Sequence, residues 1–165
     1  MIRRTKESLE FMRSVITYYS SQMEAHDFSS TVAKSAIDIV TPVFENAVVL
    51  SGQYAKACGR DVILSKDMEY CMKYCAMNTV GKQIGSYFPE IYEEEESEGE
   101  EEIETVDEED EPPFEPYSGD VEIFKSINDA YDAWESWEPT NPSEKMIKNA
   151  IDSNEHISSS GMEDF

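Results

Sequence analysis

The sequence predicts an all-α protein, in which a helical domain is followed by an acidic, partly disordered extension with one or two short helices. The first observation is a run of apolar residues between Ser30 and Gly59 that recur at steps of three and four, the period of an α-helix. The second is the composition of residues 93–111, which are almost all Asp, Glu, Gly or Ser. Such a segment has too little apolar surface to fold alone, and its like charges repel one another. We therefore expect a folded core that carries a charged extension.

A first helix is predicted from about Thr5 to Glu24, after a short basic lead in residues 1–7. Either Thr5 or Ser8 can cap this helix by accepting a hydrogen bond from a free backbone N–H group. One face of the helix is apolar and is expected to point toward the core. Its members are Leu9, Met12, Ile16, Tyr19 and Met23.

The central helix is apolar over a wide arc, because two apolar stripes lie side by side. The first stripe comprises Val32, Ala36, Ile39, Val43, Ala47, Leu50, Tyr54 and Ala57, and the second comprises Ala33, Ile37, Val40, Phe44 and Val48. A helix of this kind must be covered on more than one side. The flanking helices are too short to do so alone, so we expect a partner chain. Pro42 lies inside this helix and is expected to kink it, because it removes one backbone hydrogen bond.

The end of the central helix is predicted at Gly59, where a left-handed backbone has no steric cost. Residues 61–64 favour extended structure but are too few for a sheet of their own. Ser65 is then expected to cap a third helix. The apolar face of that helix carries Met68, Cys71, Met72, Cys75 and Val80.

The charge of the protein is very unevenly distributed along the chain. The formal net charge is −23. Residues 1–92 contain 10 Lys or Arg and 10 Asp or Glu, whereas residues 93–165 contain 3 Lys or Arg and 26 Asp or Glu. The second part therefore carries the whole net charge. An acidic extension of this kind repels nucleic acid and anionic membranes and attracts basic proteins.

These patterns divide the chain into four parts. We expect a folded domain at 1–92, an acidic disordered linker at 93–119, an amphipathic acidic helical segment at 120–152 and a loose tail at 153–165. In the third part the helical period returns with an acidic opposite face. The residues of its apolar face are Ile123, Ile127, Tyr131 and Trp134, with Trp137 adjoining.

The order of a medium helix, a very long helix, a short extended loop and a short helix resembles the histone fold. The best match is to the tetramer-forming core histone, and it covers about residues 8–80. The matching residues are Phe11, Arg13 and Val15 in the first helix, Phe28 and Ser30 in the first loop, and Arg60, Ile63, Lys66 and Asp67 around the second loop.

The resemblance implies a handshake dimer, with a different histone-fold chain favoured over a second copy, in a chromatin or transcription-type assembly in the nucleus. Arg60 and Asp67 would then clasp the second loop through an ion pair, and Arg13 and Arg60 would be the residues closest to DNA phosphate. Asp27 and Asp61 replace an arginine and an uncharged residue of the DNA-facing surface, so we expect DNA binding to be weak or indirect. The implied dimer interface comprises Phe28, Val32, Ile39, Val43, Ala47, Leu50, Tyr54 and Ile63.

Two interpretations of the extension remain open. In the first, it is a solvating acidic linker whose helix packs back on the core. In the second, Tyr131, Trp134 and Trp137 together with the acidic residues cap a basic histone-like surface, either in the same chain or on a partner. The second interpretation supports an alternative function, an acidic histone chaperone or a viral histone-like protein that acts on basic partners or DNA. For a viral protein, the location would be the replication compartment or the virion.

The sequence gives no indication of an enzyme, a cofactor or a metal site. Cys71 and Cys75 lie four residues apart on one helix face, but a structural zinc site needs four ligands, and neither histidine is near in sequence. Buried core thiols are the favoured interpretation. Three cysteines without a framework spacing indicate reduced thiols in an intracellular, non-secreted protein.

Overall fold

Five helices form the bulk of the described chain, in agreement with the predicted all-α class. The computed structural model describes residues 3–25, 30–89 and 104–160, with side chains at 3–18, 35–89 and 104–153. The helices are α1 (Lys6–Ala25), α2 (Ser30–Ala57), α3 (Ser65–Asn78), α4 (Glu122–Ala133) and α5 (Pro142–Ser160). Single 3-10 turns occur at Glu108–Asp110 and Trp134–Ser136.

The ends of the first three helices follow local backbone chemistry. Thr5 caps α1, because its Oγ1 accepts a hydrogen bond from the Ser8 N–H at 3.0 Å. Beyond the end of α2, Gly59 has a φ of 79°, the left-handed conformation expected there. The prediction that Ser65 caps α3 was wrong. Leu64 is the N-cap residue, and Ser65 already lies in the helix because the extended backbone of Leu64 continues from the preceding strand.

A small parallel sheet joins three distant parts of the chain. Its strands are β1 (Arg3–Thr5), β2 (Val62–Ile63) and β3 (Thr105–Val106), in the order β2-β1-β3. Arg3 aligns with Val62 in one pair, and Thr5 aligns with Val106 in the other. The extended loop after α2 therefore does belong to a sheet, which the sequence did not predict.

Helix α3 lies at the centre of the packing and contacts α1, α2, α4 and α5, while α1 also packs against α5. All five helices contribute to one hydrophobic core. The C-terminal part of the chain therefore covers the N-terminal helices, as the first interpretation of the extension expected. The flanking helices were expected to be too short to cover α2 alone, and the C-terminal helices supply part of the remaining cover.

Two predicted boundaries in the extension were wrong. Residues 104–119 were expected to be disordered, yet Val106 is buried with Val62 and Leu64, and Phe114 packs against the same group. The tail was expected to be loose from residue 153, yet α5 continues to Ser160, since no glycine or proline interrupts the helix before Gly161. The rest of the predicted linker, residues 93–103, lies outside the described residues.

Candidate protein-interaction surface

The predicted loop clasp is formed by a buried, two-pronged ion pair. The two terminal guanidinium nitrogens of Arg60, Nη1 and Nη2, donate to the carboxylate of Asp67, at 2.5 and 2.7 Å. The same carboxylate accepts the Leu64 N–H at 2.7 Å, and Arg60 also reaches the Val62 carbonyl. The hydrogen bond to Asp67 raises the pKa of Arg60 despite burial. The pair therefore fixes the loop that connects α2 to α3.

Because Asp67 occupies Arg60, this arginine does not present a free guanidinium to phosphate. Its side chain is 9% exposed. The phosphate role of Arg60 stays a prediction, with two of its guanidinium nitrogens already bound to Asp67. Arg13 is exposed on α1, and one such cation supports only weak, salt-sensitive contact with nucleic acid.

The structure divides the predicted dimer-interface residues into three groups. Four of them are buried inside this single chain and so are not free for a partner, which corrects the prediction. These are Val43, Ala47, Tyr54 and Ile63. Their burial follows from the packing of α3 and of the C-terminal segment on one side of α2. Ile39 and Leu50 are partly exposed, whereas Phe28 and the side chain of Val32 lie outside the described residues.

Tyr54 joins α2 to the C-terminal segment through a partly buried hydrogen-bond cluster. Its hydroxyl group donates to Asn128 Oδ1 at 2.5 Å and accepts the Tyr117 N–H at 2.9 Å. Asn128 in turn donates to the Tyr117 carbonyl at 2.7 Å. Burial is the main cause of the raised pKa of Tyr54. Sequence analysis placed Tyr54 on a dimer interface, and nothing in the periodicity of α2 indicates that residues 117 and 128 are its partners.

The aromatic residues predicted to cap a basic surface contact basic residues of their own chain. Tyr131 stacks on Tyr70 with ring centroids 3.9 Å apart, and Lys66 donates to its hydroxyl group at 3.1 Å. Lys73 lies 4.5 Å from the same ring and forms an ion pair with Glu69. Burial alone would lower the pKa of Lys66, but its hydrogen bonds to Glu69 and Tyr131 raise it.

Trp134 and Trp137 complete this intramolecular contact. Trp134 is fully buried, and its Nε1 donates to Asp152 of α5 at 2.7 Å. The ammonium group of Lys148 lies 4.3 Å from the Trp134 ring and 5.9 Å from the Trp137 ring. Tyr131 and Trp134 are therefore committed to cation–π and hydrogen-bond contacts within this chain.

A segment after α3 runs along α2 at the position of Pro42. We call residues 84–88 the strap. In an α-helix, the N–H of residue 42 would donate to the carbonyl of Asp38, but proline has no N–H. The Gly85 N–H takes its place and donates to that carbonyl at 2.7 Å. The helix is continuous through Pro42, so the strap supplies the hydrogen bond that the proline removes.

Further hydrogen bonds hold the strap to the next turn of α2. The Glu45 carboxylate accepts the Ser86 hydroxyl and, at 2.8 Å, the Tyr87 N–H. Asn46 reaches the Tyr87 hydroxyl at 3.5 Å. Several large apolar side chains nevertheless remain exposed here. They are Ile84, Tyr87 and Phe88 on the strap and Ile37 and Val49 on α2. Sequence analysis missed this surface, although the unpaired carbonyl that Pro42 creates is a signal that a donor must approach.

Two of the three cysteines lie in the core, and Cys58 is partly exposed. Cys71 and Cys75 are buried, and burial raises the pKa of Cys75 to about 12. Among the described residues, no group of three or more His, Cys, Asp or Glu side chains could hold a metal ion. Within the same residues, no helix combines the length and apolar composition that crossing a membrane requires.

Comparison with known proteins gives no relative on which to base an assignment. No protein-family model, curated protein or solved structure matches this chain.

Proposed function

We propose that this protein is a histone-fold dimerisation subunit that pairs through α2 with another histone-fold chain in a chromatin or transcription-type assembly of the nucleus. The observation that carries the proposal is the buried Arg60–Asp67 pair. It lies in the loop between the long α2 and the short α3, where the resemblance places an arginine–aspartate clasp. Two charged residues seven positions apart have no general reason to meet in a buried, bidentate geometry.

The surface of α2 supplies the second argument. One side of the helix is covered by α3 and the C-terminal segment, whereas Ile37 and Val49 remain exposed and Ile39 and Leu50 are only partly covered. Exposed apolar side chains along one helix are typical of a protein interface. A partner chain on the part of the α2 surface that α3 and the C-terminal segment leave uncovered would complete the burial that its two apolar stripes require.

The alternative functions have less support. Capture of a basic partner by the acidic aromatic segment would require Tyr131 and Trp134 to leave Tyr70, Lys73 and Asp152. Direct packaging of DNA would require several basic residues on one surface, whereas Arg60 is already paired and Arg13 is the exposed one of the two predicted phosphate contacts. We therefore expect the extension to act mainly by packing on its own core and by its charge.

The proposal is tested by the mass of the protein in solution. The full chain is measured by light scattering at micromolar concentration, alone and after refolding with each of the four core histones in turn. We expect a one-to-one complex with at least one histone-fold chain. Ile37→Glu should prevent it, because a buried unpaired carboxylate is strongly unfavourable.

Ile16→Glu is the matched control, since Ile16 is also exposed but lies on α1. This variant should form the complex as the wild type does. A well-folded monomer in every mixture, or equal loss of the complex in both variants, would contradict the proposal.

A further inference from the structure

Thr105 is an exposed threonine on an outer strand of the small sheet. It lies in β3, which pairs with β1 on one side and with no described strand on the other. Its hydroxyl group forms no hydrogen bond with any described residue. A strand of only two residues also opens locally at little cost. An enzyme that binds extended segments can therefore reach this hydroxyl group.

The residues after Thr105 are strongly acidic. Val106 is followed by five carboxylates in a row, at residues 107–111. Every other Ser or Thr of the described residues is followed by at most two Asp or Glu within six positions. Protein kinases select their substrates partly by the charge around the acceptor hydroxyl group. The flank of Thr105 therefore favours a kinase with a basic substrate-binding surface.

The neighbouring strand places an arginine beside Thr105. Arg4 is the cross-strand partner of Thr105 in the parallel pairing of β1 with β3, and side chains of paired residues project to the same face of a sheet. The Arg4 side chain is partly exposed and forms no ion pair with any described residue. Arg3 projects to the other face and is already paired with Asp61 at 3.0 Å. A phosphate on Thr105 would therefore face the Arg4 guanidinium, which suits phosphate oxygens.

We propose that Thr105 is a phosphorylation site of a protein kinase that selects acidic substrates, and that Arg4 binds the resulting phosphate. The Thr105 oxygen forms a bond to the γ-phosphorus of ATP, and the bond from that phosphorus to the β–γ bridging oxygen breaks. ADP leaves, and the hydroxyl proton passes to the catalytic aspartate of the kinase. This goes beyond the proposed function, because the modification needs no histone-fold partner.

The phosphate would strengthen a contact that is weak without it. The Arg4 N–H donates to the Glu104 carbonyl at 3.4 Å, a long hydrogen bond, and β3 has two residues. A phosphate with about two negative charges adds charge-assisted hydrogen bonds to the Arg4 guanidinium across the same pair of strands. Phosphorylation is therefore expected to fasten the start of the described extension to the N-terminal strand.

The first test is phosphorylation of the folded, full-length chain. The protein is incubated with a recombinant kinase of the casein kinase type and Mg-ATP, and mass spectrometry of its peptides locates the phosphate. Ser97 also precedes several glutamates, so every protein in the test carries Ser97→Ala. We expect phosphate on Thr105, and a loss of incorporation of about tenfold or more when Thr105→Ala is added.

Thr140→Ala is the matched control for this test. Thr140 is also exposed, but only one carboxylate, Glu144, follows it within six positions. This variant should incorporate as much phosphate as the Ser97→Ala protein does. Circular dichroism and the melting temperature report whether each variant is folded.

The second test measures whether Arg4 holds the phosphate. Hydrogen exchange in residues 3–5 is followed by mass spectrometry, and each variant is compared with its own unphosphorylated form. We expect phosphorylation to slow exchange about two- to fivefold, the effect of a partly exposed ion pair. Arg4→Gln should abolish the slowing. Arg3→Gln is the matched control and should retain it, because Arg3 is bound to Asp61.

Three results would overturn the proposal. The first is the absence of phosphate from Thr105 in the folded chain. The second is equal incorporation with and without Thr105→Ala, which would place the phosphate elsewhere. The third is equal slowing of exchange in Arg4→Gln and Arg3→Gln, or faster exchange after phosphorylation, either of which would remove Arg4 as the phosphate-binding residue.

Discussion

At the Arg60–Asp67 pair, two residues predicted from sequence register alone meet inside the protein. Asp67 accepts from both guanidinium nitrogens and from the Leu64 N–H. Asp67 therefore gives the Leu64 N–H at the start of α3 a hydrogen-bond acceptor and also neutralises the charge of Arg60. Burial makes this arrangement sensitive to loss of either partner, since the remaining charge has no replacement.

Asp67→Asn should lower the free energy of unfolding by about 3–5 kcal/mol, because it leaves a buried guanidinium without its counter-charge. Urea denaturation followed by circular dichroism measures the change. Asp61→Asn is the control, because the Arg3–Asp61 pair is mostly exposed, and such pairs contribute about 0–1 kcal/mol. Similar decreases in the free energy of unfolding of the two variants would show that the Arg60–Asp67 pair stabilises the protein no more than an exposed ion pair does.

Cys75 gives the protein a defined alkaline sensitivity. Its pKa is raised by burial from 9.0 to about 12. Between these values the unfolded thiol loses its proton and the folded thiol keeps it, so stability is complete below pH 9 and falls as the pH rises. One proton corresponds to about 1.4 kcal/mol per pH unit. Cys75→Ala should therefore flatten the decrease in stability above pH 9 by about this slope, measured by urea denaturation between pH 7 and 10.5. An unchanged slope would contradict this explanation.

At the scale of elements, α2 and the strap depend on each other. Helix α2 is continuous through Pro42, where Gly85 supplies a donor to the Asp38 carbonyl. Pro42→Ala restores the helical N–H, which competes with Gly85 for the same carbonyl. We therefore expect faster hydrogen exchange across residues 84–88 in this variant, measured by mass spectrometry, while exchange in α3 stays the same. Unchanged hydrogen exchange in the strap would show that the hydrogen bonds to Glu45 are sufficient to keep the strap on α2.

The contact between α5 and the 3-10 turn after α4 depends on one buried tryptophan. Trp134→Ala removes a fully buried ring and its hydrogen bond to Asp152, and it should cost about 3–5 kcal/mol of stability. Trp137→Ala should cost clearly less, since Trp137 is partly exposed. Thermal unfolding of both variants measures the difference. Equal losses would mean that Trp134 is not the residue that fixes the C-terminal segment to the core.

At the scale of the whole molecule, the helices were predictable because their signal is local. The apolar period from Ser30 onward predicted α2, and the stripe that contains Ile127 and Tyr131 predicted α4. The sheet was not predictable, since β1, β2 and β3 have two or three residues each and lie about 40 or more positions apart. Order in residues 104–119 was missed for a similar reason. Val106 and Phe114 are isolated in sequence, and their partners come from residues 62–70.

The candidate site was predictable only in part, for the same physical reason. The Arg60–Asp67 clasp was predictable, because the matching residues lie within one stretch of eight residues and the signal is local. The cover over Val43 and Tyr54 comes from α3 and from residues more than 60 positions further on, so periodicity could not distinguish an internal partner from an external one. The strap could not be predicted, because the sequence does not show which N–H group reaches the Asp38 carbonyl that Pro42 leaves unpaired.

The central claim, that the exposed side of α2 binds a partner chain, is tested most directly by cross-linking. A photoreactive benzoylphenylalanine at position 49 is compared with one at position 16, both exposed apolar positions, in the full chain mixed with refolded histone-fold chains. We predict that position 49 cross-links to the long helix of the partner and position 16 does not. Cross-links from position 49 to this chain alone, or equal yields from both positions, would contradict the claim.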